Sequence, residues 1–375
     1  MSSADVCVIG GGVIGRCVAL ALAARGVRVD LVSRDLPGAS SRAAAGLLAP
    51  SIEGGSGAAH DFAIAARDLY PSFLQGLESA VGLKVELGRD GILDVALDDE
   101  SELRLRAAAR ARGVLYVPPN EIRSLEPSLT STRGGVLAPV DGYVDNVALM
   151  DALEAATRAA RPRVREIPAL VSRIELGPDS ATLILEASDR LGCATAVLAA
   201  GAWSVNVAGL PRPLAVRPLK GQMIRYDTAA AGVKAPLQRP VYGAGVYIVS
   251  RGGTRILVGA TSEEADFDVG LTSEAAADLS RGATMLLPQL AKLPPSDQWS
   301  GLRPMALDSL PFLGRDPEFP ALIYACGHSR NGILKAPLTG EVVASWFVGE
   351  AVDYDLSPFS PVRHETATTA PPTVD

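Results

Sequence analysis

The chain is poor in the residues that staple small folds or bind metals: only four cysteines and three histidines occur among its 375 residues. Cys7, Cys17, Cys193 and Cys326 stand far apart and form no C-x-x-C pair, which excludes a disulfide scaffold and a Cys/His zinc centre. There is no surplus of basic charge either. Lysine and arginine number 35 against 42 acidic residues, a formal net charge of −7, so no phosphate-binding face for nucleic acid is expected. No uninterrupted apolar run approaches the ~20 residues of a spanning helix, and no membrane association is expected. A buried-strand pattern begins by Asp5 and leaves no room for a signal peptide. The expectation is a soluble, cytoplasmic, reduced protein. What the chain does contain, 48% hydrophobic against 21% charged residues, suits a sizeable core in one large domain or two interleaved ones.

The first 35 residues carry the most information. Val6–Ile9 is a β-branched apolar run that reads as a buried parallel strand. Gly10-Gly11-Gly12-Val13-Ile14-Gly15 follows, then an Ala/Leu/Val-rich helical stretch to Ala24, Gly26 at the C′ position, and a second strand over Val27–Val32. This strand–turn–helix–strand unit has the size of a dinucleotide-binding motif. Gly10 permits the tight turn, Gly12 lets backbone approach a pyrophosphate, and Gly15 allows close helix–strand packing. The acid expected at the end of the second strand is displaced. Ser33-Arg34-Asp35 stands there, and either Ser33 or Asp35 is left to contact the ribose.

Farther along, Phe62–Val81, Glu100–Arg112, Ala148–Ala160, Thr272–Leu286 and Ile333–Val348 read as helices, with Pro337 expected in the first turn of the last. Strands are expected around Gly91–Val95, Leu183–Glu186, Ala194–Ala199 and Ala321–Ala325. The alternation from about Leu214 to Gly259 favours an antiparallel sheet. The Thr/Ala/Pro-rich tail 361–375 is expected to be disordered.

Ser40-Ser41-Arg42-Ala43-Ala44-Ala45-Gly46-Leu47-Leu48 narrows the choice of dinucleotide. Two hydroxyls followed by small residues suit a loop whose amides face a large flat ring, an element for which an NAD enzyme has no particular use. Arg303, in Gly301-Leu302-Arg303-Pro304, lies between apolar segments, and its planar fork matches a carboxylate in two-point geometry. A structural pair with Asp308 or Asp316 is the alternative. Tyr247 in Val246-Tyr247-Ile248-Val249 reads either as sheet packing or as a site residue.

With these blocks and Gly327-His328-Ser329-Arg330-Asn331-Gly332-Ile333-Leu334, the chain resembles the D-amino-acid-oxidase-type FAD-dependent oxidoreductases, and within them the thiamine-pathway glycine oxidases. Ala199-Ala200-Gly201-Ala202-Trp203-Ser204 is a weaker fifth match, and the order of blocks fits from about Asp5 to Gly349. The resemblance implies an α/β fold: a Rossmann-like FAD-binding domain (1–81, 146–209 and 299–350) interleaved with an α+β substrate domain on an antiparallel sheet (82–145 and 210–298). It implies noncovalent FAD, held by Gly10, Gly12, Val13, Ile14, Gly15, Ser33, Arg34, Ser40, Ser41, Ala45, Gly46, Leu47, Val171 and Gly201. The block His328, Ser329, Arg330, Asn331, Gly332, Ile333 and Leu334 would lie near the flavin pyrimidine. Arg303 and Tyr247 would hold the substrate carboxylate, with Arg330 nearby.

The reaction implied is oxidation of glycine, small amines or D-amino acids by hydride transfer to flavin N5. The products would be an imino acid, hydrolysed to 2-oxo acid and ammonia, and hydrogen peroxide from oxygen. A homotetramer and a role in thiamine thiazole synthesis are implied as well. Alternatives are a D-amino-acid dehydrogenase passing electrons to a quinone or carrier, and an oxidase of a larger N-substituted glycine. Ser262, Ser329 and Lys335 depart from the usual family residues and are expected to widen or re-polarise the pocket.

Overall fold

A computed structural model describes residues 4–229 and 237–364. The apolar run Ala4–Ile9 forms the central strand of an eight-stranded sheet, parallel to Val29–Val32 on one side and Arg190–Leu198 on the other. Val164–Ile167 extends the parallel set beyond Val29–Val32, and Leu322–Cys326 pairs parallel with the end of Arg190–Leu198. Helix Val13–Ala24 crosses from the first strand to the second, ends at Arg25, and turns through Gly26 at φ 85°. It packs against helix Gly332–Val348, and at their contact a Cβ on Gly340 would lie 2.7 Å from the Cys17 carbonyl oxygen.

A second eight-stranded sheet runs in the order Asp297–Ala306, Val216–Asp227, Arg255–Gly259, Val246–Arg251, Val241–Gly243, Ile92–Ala96, Gly134–Ala138, Leu115–Val117. The antiparallel ladder expected between 214 and 259 is present, and one parallel pair, Val241 with Leu93, joins it to the earlier strands. Asp297–Ala306, inside which the boundary at 299 falls, pairs along its length with Val216–Asp227 and so lies in this second sheet. A three-stranded sheet of Leu47–Leu48, Gly142–Val144 and Leu87–Gly88 ties the N-terminal segment to the region that follows. No helix among the described residues is long and apolar enough to cross a membrane.

Three expectations need correction. The helix expected over 62–81 is two helices, Gly57–Asp68 and Tyr70–Val81, because Pro71 has no N–H to continue the ladder and its ring crowds the preceding turn. Pro337 is not in a first turn. The last helix starts at Gly332, which places Pro337 inside it, facing the Ile333 carbonyl it cannot pair with; the Tyr70 hydroxyl donates to that oxygen at 2.5 Å. Of the tail, 361–364 is ordered against the body: Arg363 donates to Asp308 and stacks 3.8 Å over the Phe312 ring. The rest of that expectation, 365–375, lies outside the described residues.

Candidate functional site

Between the two large sheets lies a cavity of about 1160 Å³, larger than a small-molecule site requires and roomy enough for a dinucleotide with a substrate beside it. Every residue predicted for the site lines it except Gly15 and Leu334. Gly15 acts in packing, since a Cβ there would fall 1.8 Å from the Gly10 carbonyl oxygen. Leu334 is fully buried in the cluster around Val13, Tyr70 and Leu149.

At one end the strand–helix turn forms a phosphate cradle. Gly10 has φ +107°, and a Cβ on it would meet the Ala199 carbonyl oxygen at 2.4 Å. Helix Val13–Ala24 starts at Gly12, which brings no side chain of its own to the cap, and no acid stands in its first turn, which leaves its positive end open to an anion. Ser41 Oγ accepts from Val13 N at 3.0 Å, and a Cβ on Gly12 would come within 3.1 Å of that oxygen. Arg16, which sequence reading did not single out, fixes the turn from behind. Its Nε donates to the Gly11 carbonyl at 2.9 Å, while Nη1 bonds Thr157 and Glu166.

Ser33, Arg34 and Asp35 all line the cavity, as does Val171. Arg34 pairs with Glu186 at 3.0 Å, an acid at the same mouth that no sequence signal marked. These features fit FAD: a helix N-terminus with no acid in its first turn, glycines that no Cβ can replace, and polar side chains spaced along an elongated cavity.

Toward the antiparallel sheet stand Arg303 and Tyr247. Arg303 is partly buried and donates to the Thr261 carbonyl at 3.1 Å, and it pairs with no carboxylate among the described residues. The partners considered for it are taken: Asp308 by Arg363, Asp316 by Arg212. Burial pushes the guanidinium down from its ordinary pKa, with Tyr247 opposing. A desolvated cation without a counter-ion favours an incoming anion. Burial likewise raises the Tyr247 phenol, and Arg303 counters it.

Two glycines make room for this pair. A Cβ on Gly221 would lie 2.3 Å from Arg303 Nη2, and one on Gly259 would lie 2.5 Å from the Tyr247 hydroxyl. Tyr242 stands beside Tyr247 at 5.7 Å between ring centroids, with its buried hydroxyl unpartnered. Arg330 is exposed and reaches Glu53 at 3.4 Å. The cavity continues past this pair to Asp94, Arg104 and Arg112; burial pushes the Asp94 carboxyl up to about 6.

The block after Leu322–Cys326 turns through Gly327 at φ +69° and Ser329 at φ 52°. His328 is buried, its Nε2 lies 3.1 Å from Thr339 Oγ1, and burial pushes its pKa down to about 3, so the ring is neutral. Ser329 lines the cavity, but its hydroxyl is engaged with Ala306 N and the Gly327 carbonyl. Lys335 does not re-polarise the pocket. It is buried outside the lining, 5.7 Å over the Phe359 ring. Ser262 does line the cavity.

The dinucleotide cradle, the second sheet and the unpaired arginine define a flavin-dependent oxidoreductase. Residues 5–346 match the family described as FAD dependent oxidoreductase (DAO), and the chain belongs to it. Among its relatives, glycine oxidase of Geobacillus kaustophilus is 33% identical over 96% of this chain and 97% of the relative. The bifunctional protein ThiO/ThiG of Trichormus variabilis is also 33% identical, over 98% of this chain. The chain spans about half of that bifunctional relative, 56% of its length. The crystal structure of glycine oxidase from Geobacillus kaustophilus superposes with a TM-score of 0.90 at 32% identity, covering 97% of this chain and all of that one.

Proposed function

We propose that this protein is an FAD-dependent oxidase of glycine and related small amines or D-amino acids. The observation that carries the reading is Arg303, a partly buried guanidinium in the cavity wall beside Tyr247, with no carboxylate partner among the described residues. Bound FAD supplies a two-electron acceptor for a hydride from the substrate α-carbon, the resulting imino acid hydrolyses to 2-oxo acid and ammonia, and oxygen takes the electrons to give hydrogen peroxide.

The protein's own contribution is positional. Gly10, Gly12, Val13, Ile14, Ser40 and Ser41 receive the pyrophosphate, Ser33, Arg34 and Asp35 the ribose end, and Val171 and Gly201 the adenosine side. Ala45–Leu47 and His328–Ile333 border the flavin. The Arg303 fork takes the substrate carboxylate and the Tyr247 hydroxyl gives it a second contact, so the α C–H is oriented by two-point binding. A neutral amine enters and no side-chain base is required; His328, neutral and turned to Thr339, is not one.

The name glycine oxidase, carried by a relative, supports glycine as substrate; supply of thiamine thiazole as the physiological role is part of the proposal. A homotetramer is part of the same proposal. A larger N-substituted glycine is the second reading, favoured by Ser262 in the lining and by the cavity's continuation to Arg104 and Arg112.

The test is a titration of the purified flavoprotein's visible spectrum under nitrogen with glycine, sarcosine and several D-amino acids, with a peroxide-coupled assay in air. Bleaching with peroxide and a preference for glycine supports the proposal, and a preference for sarcosine or larger substrates favours the second reading. Bleaching without peroxide replaces the oxidase by a carrier-linked dehydrogenase. No bleaching by any amino acid refutes the substrate assignment.

A further inference from the structure

The segment from Ser41 to Gly46 is held in an unusual way: most of its carbonyls are bonded by groups from remote parts of the chain. Asn146 Nδ2 donates to the Ser41 and Arg42 carbonyls at 2.9 and 3.1 Å. Trp299 Nε1 donates to the Ala43 carbonyl at 2.9 Å. Arg251 Nη2 donates to the Ala45 carbonyl, and Val144 N to the Gly46 carbonyl at 2.9 Å.

Arg251 is buried to 3% exposure at the end of strand Val246–Arg251, where Asp145 holds its Nη1 at 3.2 Å and the Tyr143 ring lies 4.9 Å beneath it. Asp145 caps helix Asn146–Ala159 through Val147 and Ala148 N–H, so the Arg251 anchor and the Asn146 anchor start from adjacent residues. Trp299 comes from Asp297–Ala306, the strand that carries Arg303. That strand also meets the segment at Gly301, where a Cβ would lie 2.6 Å from Ala43 Cβ.

A trans peptide is planar, so a carbonyl fixed in one direction fixes the following N–H in the opposite one. With the Ala45 and Gly46 carbonyls both held on the outer side, the Gly46 and Leu47 amides are turned to the other side. Gly46 is at φ +69°, the conformation in which successive N–H groups converge. Ala45, Gly46 and Leu47 all line the cavity, and Ala45 packs in one cluster with Met223 and, at its edge, Tyr247.

We propose that Arg251 is a positioning residue for the redox step: by holding the Ala45 carbonyl, next to the Gly46 carbonyl held by Val144 N, it aims the Gly46 amide, with the Leu47 amide beside it, at the electron-accepting edge of the flavin, while Trp299 and Asn146 hold the carbonyls upstream. Fixed N–H dipoles at the place where negative charge develops favour the reduced, anionic form and need no reorganisation. The inference rests on the reading that the flavin ring borders 45–47.

The test reads the flavin rather than turnover. Sulfite adds to oxidised flavin at N5 and leaves the ring anionic, so its dissociation constant reports how well the site stabilises that charge. Arg251→Met removes the guanidinium anchor and fills its apolar space; Arg251→Gln keeps a polar group near Asp145 but is too short to reach the Ala45 carbonyl. Both are purified with FAD and compared with the parent protein for FAD content, sulfite affinity and reduction potential. The expected result is retained FAD with sulfite affinity lowered about tenfold in both variants, the effect of one lost hydrogen bond on the orientation of the Gly46 amide. Parental sulfite affinity and potential in whichever of the two variants folds and loads FAD would overturn the inference and leave the functional proposal intact. A parent protein whose flavin neither binds sulfite nor bleaches with any amino acid would overturn both.

Discussion

The Tyr70 hydroxyl replaces a backbone N–H that Pro337 lacks, donating to the Ile333 carbonyl at 2.5 Å across 263 residues of sequence. A proline inside a helix leaves the carbonyl four residues earlier without its partner, and a fully buried tyrosine from helix Tyr70–Val81 fills the gap. This bond matters to the site, because Ile333 lines the cavity in the first turn of helix Gly332–Val348.

Tyr70→Phe should therefore destabilise the protein by about 1–3 kcal/mol, the cost of a buried acceptor left unpaired. The same change in a Pro337→Ala background, where an N–H is available to Ile333 again, should cost less than about half as much. A double-mutant cycle from urea unfolding measures the coupling; additive effects would reject the assignment.

Arg212 and Asp316 form a buried pair at 2.9 Å, and Asp316 also receives the Tyr324 hydroxyl and the amides of Glu318 and Phe319. Its carboxyl stays below the ordinary range: burial pushes upward, and Arg212 and the two amides outweigh it. Asp316→Ala should cost about 3–5 kcal/mol by breaking a buried pair, for which the exposed Glu318, 3.5 Å from Arg212, is a weak replacement. The surviving folded, FAD-loaded enzyme should keep its KM for amino acid, because the pair lies outside the cavity lining. Unfolding curves and steady-state kinetics on the same preparation separate the two effects.

Much of the site was legible in the sequence where one short segment both builds and displays it. Gly10 to Gly15, Ser41, and the strand-to-helix turn at Gly327 carry their own local geometry, so spacing alone locates them. Arg303 was legible by contrast with its apolar neighbours. Gly221 and Gly259 were not. A glycine in a strand announces a close approach without saying of what, and here the visitors are Arg303 and Tyr247. Arg251 and Trp299 were invisible because each meets its partner only after the second sheet docks on residues 38–46, and Asn146 because the helix it starts reaches Ser41 and Arg42 across more than a hundred residues of chain. Pro337 was misplaced because the helix boundary was read one residue late and its second turn was taken as the first.

His328 sets a pH dependence. An unfolded histidine titrates near 6.5, whereas burial, reinforced by Lys335, pushes the folded ring down to about 3. Above about pH 6.5 both states are neutral and the residue adds no slope. Below it the unfolded chain binds a proton that the folded chain refuses, so stability falls as pH drops toward 3, by up to about 1.4 kcal/mol per pH unit. Urea unfolding of the parent and His328→Asn between about pH 7 and 4.5 should show a shallower decline in the variant. Parallel declines would assign the acid sensitivity elsewhere.

Gly221→Ala offers a sharper probe of the anion site than removal of Arg303 itself. Its new Cβ would fall 2.3 Å from Nη2 and 2.5 Å from Nη1, so the flexible guanidinium, rather than the backbone, must move. Misplacing a two-point contact weakens binding without leaving a cavity. KM for amino acid should rise about tenfold or more while FAD content and unfolding midpoint stay near the parental values. Arg303→Ala should lower kcat/KM by about two to three orders of magnitude, the range for losing one partner of a desolvated charge pair. Binding of a simple carboxylate inhibitor, followed through the flavin spectrum, should weaken in the same order, Arg303→Ala more than Gly221→Ala. An unchanged inhibitor constant in both variants would remove Arg303 from the carboxylate site.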